Sequence, residues 1–234
     1  MPHLVISGDV GDAVAALPIL RQLGGGKLTL CPFPSPIVKV WKHSALLLLP
    51  LFAVQPYVEE VEWSDTEPEG ADYNLIRWRA MGCYSGYRTL SESQALAVGI
   101  EDLDLSPWLY TQESSHSRDL VVFSRSLRYR NPKFPWPQAV RKYGASSLFI
   151  GLANEYQDFT RFGVRMEHYR MRNFLDAAEI INGSRMLIAN QSCFGWIAMG
   201  LGKPLIQESH AVIHDSRCPR ENCIYHHDGP LNLP

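Results

Sequence analysis

The chain has 234 residues, 46% of them hydrophobic, and a formal net charge of −2. Its length fits one large domain or two domains of roughly 100–120 residues each, and its hydrophobic fraction is ordinary for a globular protein. A net charge so close to zero gives no general electrostatic attraction to nucleic acid, which is therefore not expected as a partner.

Secretion and membrane insertion are not expected from this sequence. The N-terminus lacks a basic region followed by an apolar signal core. The apolar run at residues 45–54 is interrupted by Pro50 and has about half the length that a bilayer span needs. The five cysteines are an odd number and mostly scattered, which fits a reducing compartment. A cytoplasmic protein without a transmembrane segment is therefore predicted.

The first half of the chain alternates short apolar runs with helical patterns. Strands are predicted at residues 4–7, 27–31, 58–63 and 73–78, and helices at 13–23, 38–52 and 90–98. A polar stretch at residues 106–117, with Pro107 and four serines, predicts a linker.

The alternation restarts after this stretch. Strands are predicted at residues 120–124, 147–150, 164–169, 185–189 and 205–207, and helices at 136–143, 155–162, 173–181 and 194–201. Residues 211–234, rich in His, Pro and Asn, are predicted to be irregular. Strands separated by helices indicate βαβ units and parallel sheets. The predicted fold class is α/β with two Rossmann-like lobes, at residues 1–110 and 118–234.

Two Gly-Asp pairs, Gly8-Asp9 and Gly11-Asp12, stand between the first predicted strand and the first predicted helix. Glycine allows a tight turn, and open α/β sheets bind ligands at the carboxyl ends of their strands. Asp12 is therefore the first candidate for a catalytic base and Asp9 the second, and their proximity would raise the pKa of one of them. The alternative is that each aspartate is a solvent-facing helix cap. Neither a Walker loop nor a dinucleotide fingerprint is present.

Three segments of the sequence resemble one known family. Residues 10–18, Val-Gly-Asp-Ala-Val-Ala-Ala-Leu-Pro, resemble the N-terminal motif of glycosyltransferase family 9, the heptosyltransferase family. Residues 187–204 resemble its strand–loop–helix signature, and residues 122–125 with 133–136 resemble, less closely, its basic loop. The resemblance implies a GT-B-like fold, with the acceptor in the first lobe and a nucleoside-diphosphate sugar in the second. It implies that Asp12 is the base on the acceptor hydroxyl.

The second segment departs from the family at three positions that line the donor diphosphate. The aspartate that follows Asn190 in the family is Gln191 here, the glycine is Cys193, and the histidine is Trp196. These differences leave the identity of the donor open.

Several polar residues are candidates for contacts with such a donor. Arg125 and Lys133 would bind phosphate, the first by a bidentate fork and the second as a point charge, although a solvated basic turn is the alternative. Glu208, at the end of a predicted strand, would hold a ribose. The remaining candidates are Gly11, Ser124, Asn190, Gln191, Ser192 and Trp196, with Arg128 and Arg130 on the basic loop. Asn190, Gln191 and Ser192 would alternatively only cap the following helix, and Trp196 would alternatively be a core residue.

The C-terminal segment contains Cys218 and Cys223, with His210, His214, His226 and His227 around them. Four residues separate the two cysteines, whereas zinc sites usually have a tighter spacing. No metal site is therefore predicted, and two thiols in a polar loop are the preferred interpretation.

The predicted function is transfer of a sugar from a nucleoside-diphosphate donor to a hydroxyl acceptor, without a bound cofactor. The first alternative is a protein of the same fold that binds a nucleotide or nucleotide sugar without turnover. The second is an epimerase of the related two-lobed type, which would need a base and a nucleotide sugar but no acceptor.

Overall fold

In the described part of the chain, every strand lies in one of two parallel sheets. The computed structural model describes residues 1–33, 42–83, 88–210, 212–213, 215–218 and 220–226. The chain divides into two units, Met1–Tyr110 with Asn173–Leu175 and Thr111–Arg172 with Asp176–Pro234. Each unit contains one of the sheets, as alternating strands and helices require.

The N-terminal unit is built around the first strand of the chain. It contains the strands β1 (His3–Ile6), β2 (Gly26–Leu30), β3 (Val58–Trp63) and β4 (Tyr73–Asn74), and the helices α1 (Val10–Gln22), α2 (Lys42–Ala53) and α3 (Leu90–Ala97). The sheet order is β3-β2-β1-β4. Leu4, Val5 and Ile6 are fully buried, and β1 has a neighbouring strand on each side. The loop after β1 therefore starts at the carboxyl end of an interior strand.

The C-terminal unit contains a six-stranded sheet of order β10-β9-β8-β5-β6-β7. Its strands are β5 (Val121–Ser124), β6 (Ser147–Ile150), β7 (Glu167–Tyr169), β8 (Met186–Asn190), β9 (Leu205–Glu208) and β10 (Cys223–His226), and its helices are α4 (Trp136–Tyr143), α5 (Ala153–Phe159), α6 (Phe174–Gly183) and α7 (Cys193–Leu201). Ser124 pairs with Ala189, and Asn190 pairs with Glu208. This register brings the carboxyl ends of three neighbouring strands to one edge.

Aromatic side chains fill the core of the C-terminal unit beside α4 and α5. The ring of Phe159 lies 5.6 Å from that of Phe123, 5.2 Å from that of Trp136 and 5.1 Å from that of Phe149. All four side chains are at most 1% exposed. Tilted and edge-on ring pairs of this kind stabilise a core beyond the area that they bury, so α4 and α5 are held firmly against the sheet.

The sequence predicted most elements within a few residues, with three corrections. The strand expected at residues 73–78 ends at Asn74, whose side-chain oxygen accepts the Ile76 N–H at 2.9 Å and turns the chain. The strand expected at residues 164–169 begins only at Glu167. The prediction of irregular structure at residues 211–234 is wrong for Cys223–His226, which pairs with β9 as an edge strand.

Two further predictions concern segments between elements. The helix expected at residues 38–52 is α2, and residues 38–41 lie outside the described residues. Within the stretch predicted as a linker, Trp108 is fully buried and its carbonyl accepts the Tyr57 hydroxyl at 2.6 Å. Arg21 donates to the carbonyls of Ser106 and Pro107. Residues 106–108 are therefore fastened to the N-terminal unit.

Candidate active site

The Asp12 carboxylate folds back over the turn between β1 and α1. Gly8 has a φ of +134°, and a Cβ atom there would lie only 2.3 Å from Asp12 Oδ2. The Asp9 N–H donates to the same oxygen at 2.9 Å, so the first turn of α1 closes on itself. Asp12 is 4% exposed, whereas Asp9 is exposed and Gly11 is half-buried. The candidate base thus lies at the carboxyl end of an interior strand.

Arg79 is the principal partner of this carboxylate. Its Nη1 donates to Asp12 Oδ2 at 3.1 Å and its Nη2 donates to Oδ1 at 2.7 Å, which is a bidentate pair. The guanidinium lies 4.3 Å from the centroid of the Trp78 ring. Arg79 belongs to the 3₁₀ turn Trp78–Met81, and its side chain is 53% exposed. The sequence analysis missed it because 67 positions separate the two residues.

Two opposing influences set the proton affinity of Asp12. Burial is the larger and raises the pKa of its carboxyl above the ordinary value of 3.8. The hydrogen bonds and charge of Arg79, with the Asp9 N–H, lower this pKa, and the charge of Asp9 adds a small upward contribution. A buried carboxylate with a raised pKa is chemically suited to take a proton from a hydroxyl group.

Arg125 and Glu208 are paired with each other in the C-terminal unit. Arg125 Nε and Nη2 donate to the two Glu208 carboxylate oxygens at 2.8 and 2.9 Å. The Trp136 indole N–H and the Asn131 backbone N–H donate to the same carboxylate at 2.9 and 2.7 Å. Arg125 is 3% exposed and Glu208 is fully buried. The pair therefore links the ends of β5 and β9 inside the unit.

The other predicted donor contacts differ in exposure. Ser124 is 1% exposed, and its hydroxyl has no hydrogen-bond partner among the described residues. Arg128 and Lys133 are exposed on the loop after β5. Arg130 donates to Asp158 at 2.6 Å. The exposed positive charges of this loop are therefore those of Arg128 and Lys133.

The two amides at the end of β8 anchor neighbouring loops. Asn190 Oδ1 accepts the Ser126 N–H at 2.8 Å, and Asn190 Nδ2 donates to the Arg128 carbonyl at 2.5 Å. Gln191 Oε1 accepts the His210 N–H at 2.6 Å, and Gln191 Nε2 donates to the Ile213 carbonyl at 2.9 Å. Both side chains therefore hold loops in place by hydrogen bonds, directly before the N-terminus of α7.

The first turn of α7 is largely apolar. Ser192 is its N-cap residue, with a buried hydroxyl that has no hydrogen-bond partner among the described residues. Burial raises the pKa of the Cys193 thiol to about 12. Trp196 is 3% exposed, as expected for its alternative interpretation as a core residue. The positive end of the helix dipole is the feature of this turn that a bound anion would meet.

Glu155 is a further acidic group near the start of α7 that the sequence analysis did not identify. Its Oε2 accepts the Leu152 N–H at 2.8 Å, and burial raises the pKa of its carboxyl. Its charge raises the pKa of Cys193. A glycine with positive φ, Gly151, precedes it by four positions, as Gly8 precedes Asp12. This spacing of four positions between a glycine and an acidic residue is the sequence feature from which Glu155 could have been identified.

Among the described residues, no group of three or more His, Cys, Asp or Glu side chains is arranged to hold a metal ion. His214 and His227, considered above beside the two C-terminal cysteines, lie outside the described residues. Within the same described ranges, no helix has the length and apolarity needed to cross a membrane.

Solved structures match this chain over nearly its whole length. No protein-family model and no curated protein matches it. The family 9 glycosyltransferase of Veillonella parvula superposes with a TM-score of 0.61 at 12% identity, covering 95% of this chain and 85% of that chain. The E. coli heptosyltransferase WaaC with ADP-2-deoxy-2-fluoro heptose gives 0.59 at 11% identity, covering 96% and 92%.

A third similar structure is the dodecameric iron-containing heptosyltransferase TibC of enterotoxigenic E. coli, in complex with ADP-D-β-D-heptose. It superposes with a TM-score of 0.60 at 14% identity, covering 98% of this chain and 63% of that chain. The chain therefore has the α/β fold of GT-B glycosyltransferases, with two Rossmann-like units and parallel sheets. The resemblance to glycosyltransferase family 9 is confirmed for the fold.

Proposed function

We propose that the protein transfers a glycosyl group from a nucleoside-diphosphate sugar to a hydroxyl acceptor. The observation that carries the proposal is the Asp12 carboxylate, buried at the carboxyl end of β1 and fixed over Gly8 by Arg79 and the Asp9 N–H. The similar structures belong to transferases, and two of them hold an ADP-linked heptose or its fluoro analogue. A fixed acid in such a fold is best explained as a base.

In the proposed reaction, Asp12 takes the proton of the acceptor hydroxyl as the oxygen attacks the anomeric carbon of the donor. The bond between that carbon and the diphosphate oxygen breaks, and the nucleoside diphosphate leaves with the bonding electrons. Arg79 keeps the carboxylate in one orientation, so that its lone pairs face a constant direction. Asp9 is the second candidate base, on the same loop.

The donor is proposed to bind at the carboxyl edge of the C-terminal sheet. The N-terminus of α7, where Ser192 is the N-cap residue, would face the diphosphate, since a helix N-terminus favours an anion. Lys133 and Arg128, both exposed on the loop after β5, would supply positive charge to the leaving group. Because Arg125 and Glu208 bind each other, they would stabilise the site rather than contact the donor.

The test is a donor screen on the full chain. ADP-, GDP-, UDP-, CMP- and dTDP-sugars, with the bare nucleotides beside them, are compared by thermal shift, and each mixture is examined by mass spectrometry. We expect stabilisation by one donor with release of its nucleoside diphosphate. Absence of both stabilisation and release across the panel would overturn the proposal and leave the likeness to transferases as one of fold.

A protein that binds a nucleotide sugar without turnover is the second candidate. The observation that favours it is the engagement of Asn190 and Gln191, whose side chains anchor loops rather than standing open to a ligand. Binding of one donor that persists without product, in the presence of a broad set of sugar and lipid-linked acceptors, would favour this candidate.

A further inference from the structure

The loop that joins β5 to α4 contains a bulky residue in a backbone conformation that such residues rarely adopt. Tyr129 has a φ of +49°, within the left-handed region. Glycine, asparagine and aspartate account for most residues found there, and a large aromatic side chain is an outlier. A conformation of this kind persists only where the surroundings impose it, and such residues cluster at functional sites.

Hydrogen bonds fix the backbone on the N-terminal side of Tyr129. Asn190 Nδ2 donates to the Arg128 carbonyl at 2.5 Å and to Ser126 Oγ at 3.0 Å. Arg130 Nε donates to the Ser126 carbonyl at 3.1 Å. These bonds tie the loop to the end of β8 and close it on itself, so the backbone at Tyr129 has little freedom to relax.

The C-terminal side of the loop is fixed as firmly. The Asn131 N–H donates to Glu208 at 2.7 Å, and its side-chain amide donates to the Ser209 carbonyl at 2.9 Å. Asn131 is 4% exposed and Glu208 is fully buried. Tyr129 therefore lies at the apex of a loop that is anchored on both sides to the ends of neighbouring strands.

The side chain at this apex faces partly outward. Tyr129 is 38% exposed, although it carries a large aromatic ring. His210 meets it edge-on, with 6.4 Å between ring centroids and 76° between ring planes. The Arg128 guanidinium lies 5.1 Å from the ring centroid. A ring that is oriented by its neighbours and still accessible is a surface for stacking.

We propose that Tyr129 is a stacking platform for the nucleobase of the donor nucleotide. The inference rests on the proposed function and adds a subsite to it. Asn190, which fixes the Tyr129 loop, stands two positions before the N-cap of α7, where the diphosphate is proposed to bind. The platform and the anion site therefore share one anchoring side chain. Every nucleobase has a π-face, so the platform contributes affinity rather than base identity.

The test uses the left-handed conformation to separate binding from folding. Tyr129→Gly removes the ring and suits the backbone, so the melting temperature without ligand is unchanged or higher. Tyr129→Asn is a second ringless variant that tolerates this conformation, and Tyr129→Phe keeps the ring. Leu127→Ala is the matched control, because Leu127 is 50% exposed on the same loop.

Each variant is titrated by calorimetry with ADP, GDP, UDP, CDP and dTDP, and with inorganic pyrophosphate. We expect Tyr129→Gly and Tyr129→Asn to weaken the nucleoside diphosphate that wild type binds by roughly tenfold or more. Pyrophosphate binding stays the same in all variants, and Tyr129→Phe and Leu127→Ala bind as wild type does.

Three results would overturn the platform. Unchanged nucleoside diphosphate affinity in both ringless variants would refute it and leave the proposed function standing. An equal loss of pyrophosphate affinity would show that Tyr129 supports the anion site instead of a base. Failure of wild type to bind any of the five nucleotides would refute the platform together with a nucleotide donor.

Discussion

Asp12 combines burial with a raised proton affinity. Its carboxylate is buried, yet its partner Arg79 is half-exposed. Because burial raises its pKa, folding favours the protonated form. The stability that this group contributes is complete below its ordinary pKa of 3.8 and falls as the pH rises through the raised value. Ionising this carboxyl in the folded protein therefore costs stability, which points to use in chemistry.

The first prediction concerns the base itself. Asp12→Asn keeps the size of the side chain but replaces one acceptor oxygen by an NH2 donor, and it cannot take a proton. We expect transfer to fall by about 10²–10⁴-fold, while the melting temperature stays near that of wild type because a buried charge has been removed. Product formation and thermal unfolding measured on the same preparation check both parts. Transfer at the wild-type rate would assign the base to another residue, with Asp9→Asn as the next variant.

The second prediction concerns pH. Arg79 lowers the pKa of Asp12 by its hydrogen bonds and charge, so Arg79→Met should let that pKa rise further. Less of the carboxylate is then ionised at a given pH, and the acidic limb of kcat/KM moves to higher pH. Arg77→Met, which removes a charge from a neighbouring exposed position, is the control and should leave the limb in place. A limb that does not move in Arg79→Met would contradict the role of Arg79.

The third prediction concerns Gly8. A Cβ atom at this position would lie 2.3 Å from Asp12 Oδ2, whereas one at Gly24 would meet nothing within 4 Å. Both glycines have positive φ, so Gly24→Ala measures backbone strain alone, about 1–2 kcal/mol. Gly8→Ala should destabilise the protein more and should also displace the carboxylate and abolish transfer. If urea unfolding gives equal losses of unfolding free energy for the two variants, the carboxylate moves aside without an energetic cost.

At the scale of elements, the chain uses the same strand–turn–helix arrangement in both units. In each, a glycine of positive φ follows the strand, and an acidic residue four positions later accepts the N–H of the helix N-cap residue. Asp12 does so at 2.9 Å and Glu155 at 2.8 Å. A Cβ atom at Gly151 would lie 2.8 Å from Glu155 Oε2. The local geometry therefore follows from glycine–acid spacing, which sequence can reveal.

The fourth prediction concerns the buried pair that joins β5 to β9. Removing one partner of such a pair leaves an uncompensated charge, so Arg125→Met should cost about 3–5 kcal/mol of unfolding free energy. The double variant Arg125→Met with Glu208→Gln should cost much less than the sum of the single variants. Urea unfolding of all four proteins in the cycle checks this. Additive losses would mean that the two side chains stabilise the unit independently.

Elements were predictable where local pattern and tertiary environment agree. The strand Val58–Trp63 and the helix Trp136–Tyr143 have the bounds expected from sequence. The edge strand Cys223–His226 was not predicted, because its four residues lie within a polar, proline-containing stretch and their pairing with β9 is set by the fold. Likewise, the sequence identifies Glu208 only as an acidic residue at the end of a strand. The fold shows that its carboxylate accepts four hydrogen bonds inside the unit.

At the scale of the whole molecule, the fold was more predictable than the site. Alternating strands and helices sufficed for parallel sheets, and the solved structures share that architecture at 11–14% identity. Fold thus depends on patterns that many side chains satisfy, whereas the site depends on individual pairs. The Arg79–Asp12 pair joins residues 67 positions apart, and nothing local to either residue specifies the other.

The fifth prediction assigns the two substrates to different units. If the donor nucleotide binds at the carboxyl edge of the C-terminal sheet, a bare nucleoside diphosphate should slow amide hydrogen exchange at the turns after β5 and β8. These are the amides near residues 124–133 and 190–195. The turn after β1, around Asp12, should exchange at the same rate with and without the nucleotide, because the acceptor is proposed to bind there. Amide hydrogen exchange measured by mass spectrometry reports the exchange rates of both regions in one experiment. Protection confined to the turn after β1 would reverse the assignment and place the nucleotide in the N-terminal unit.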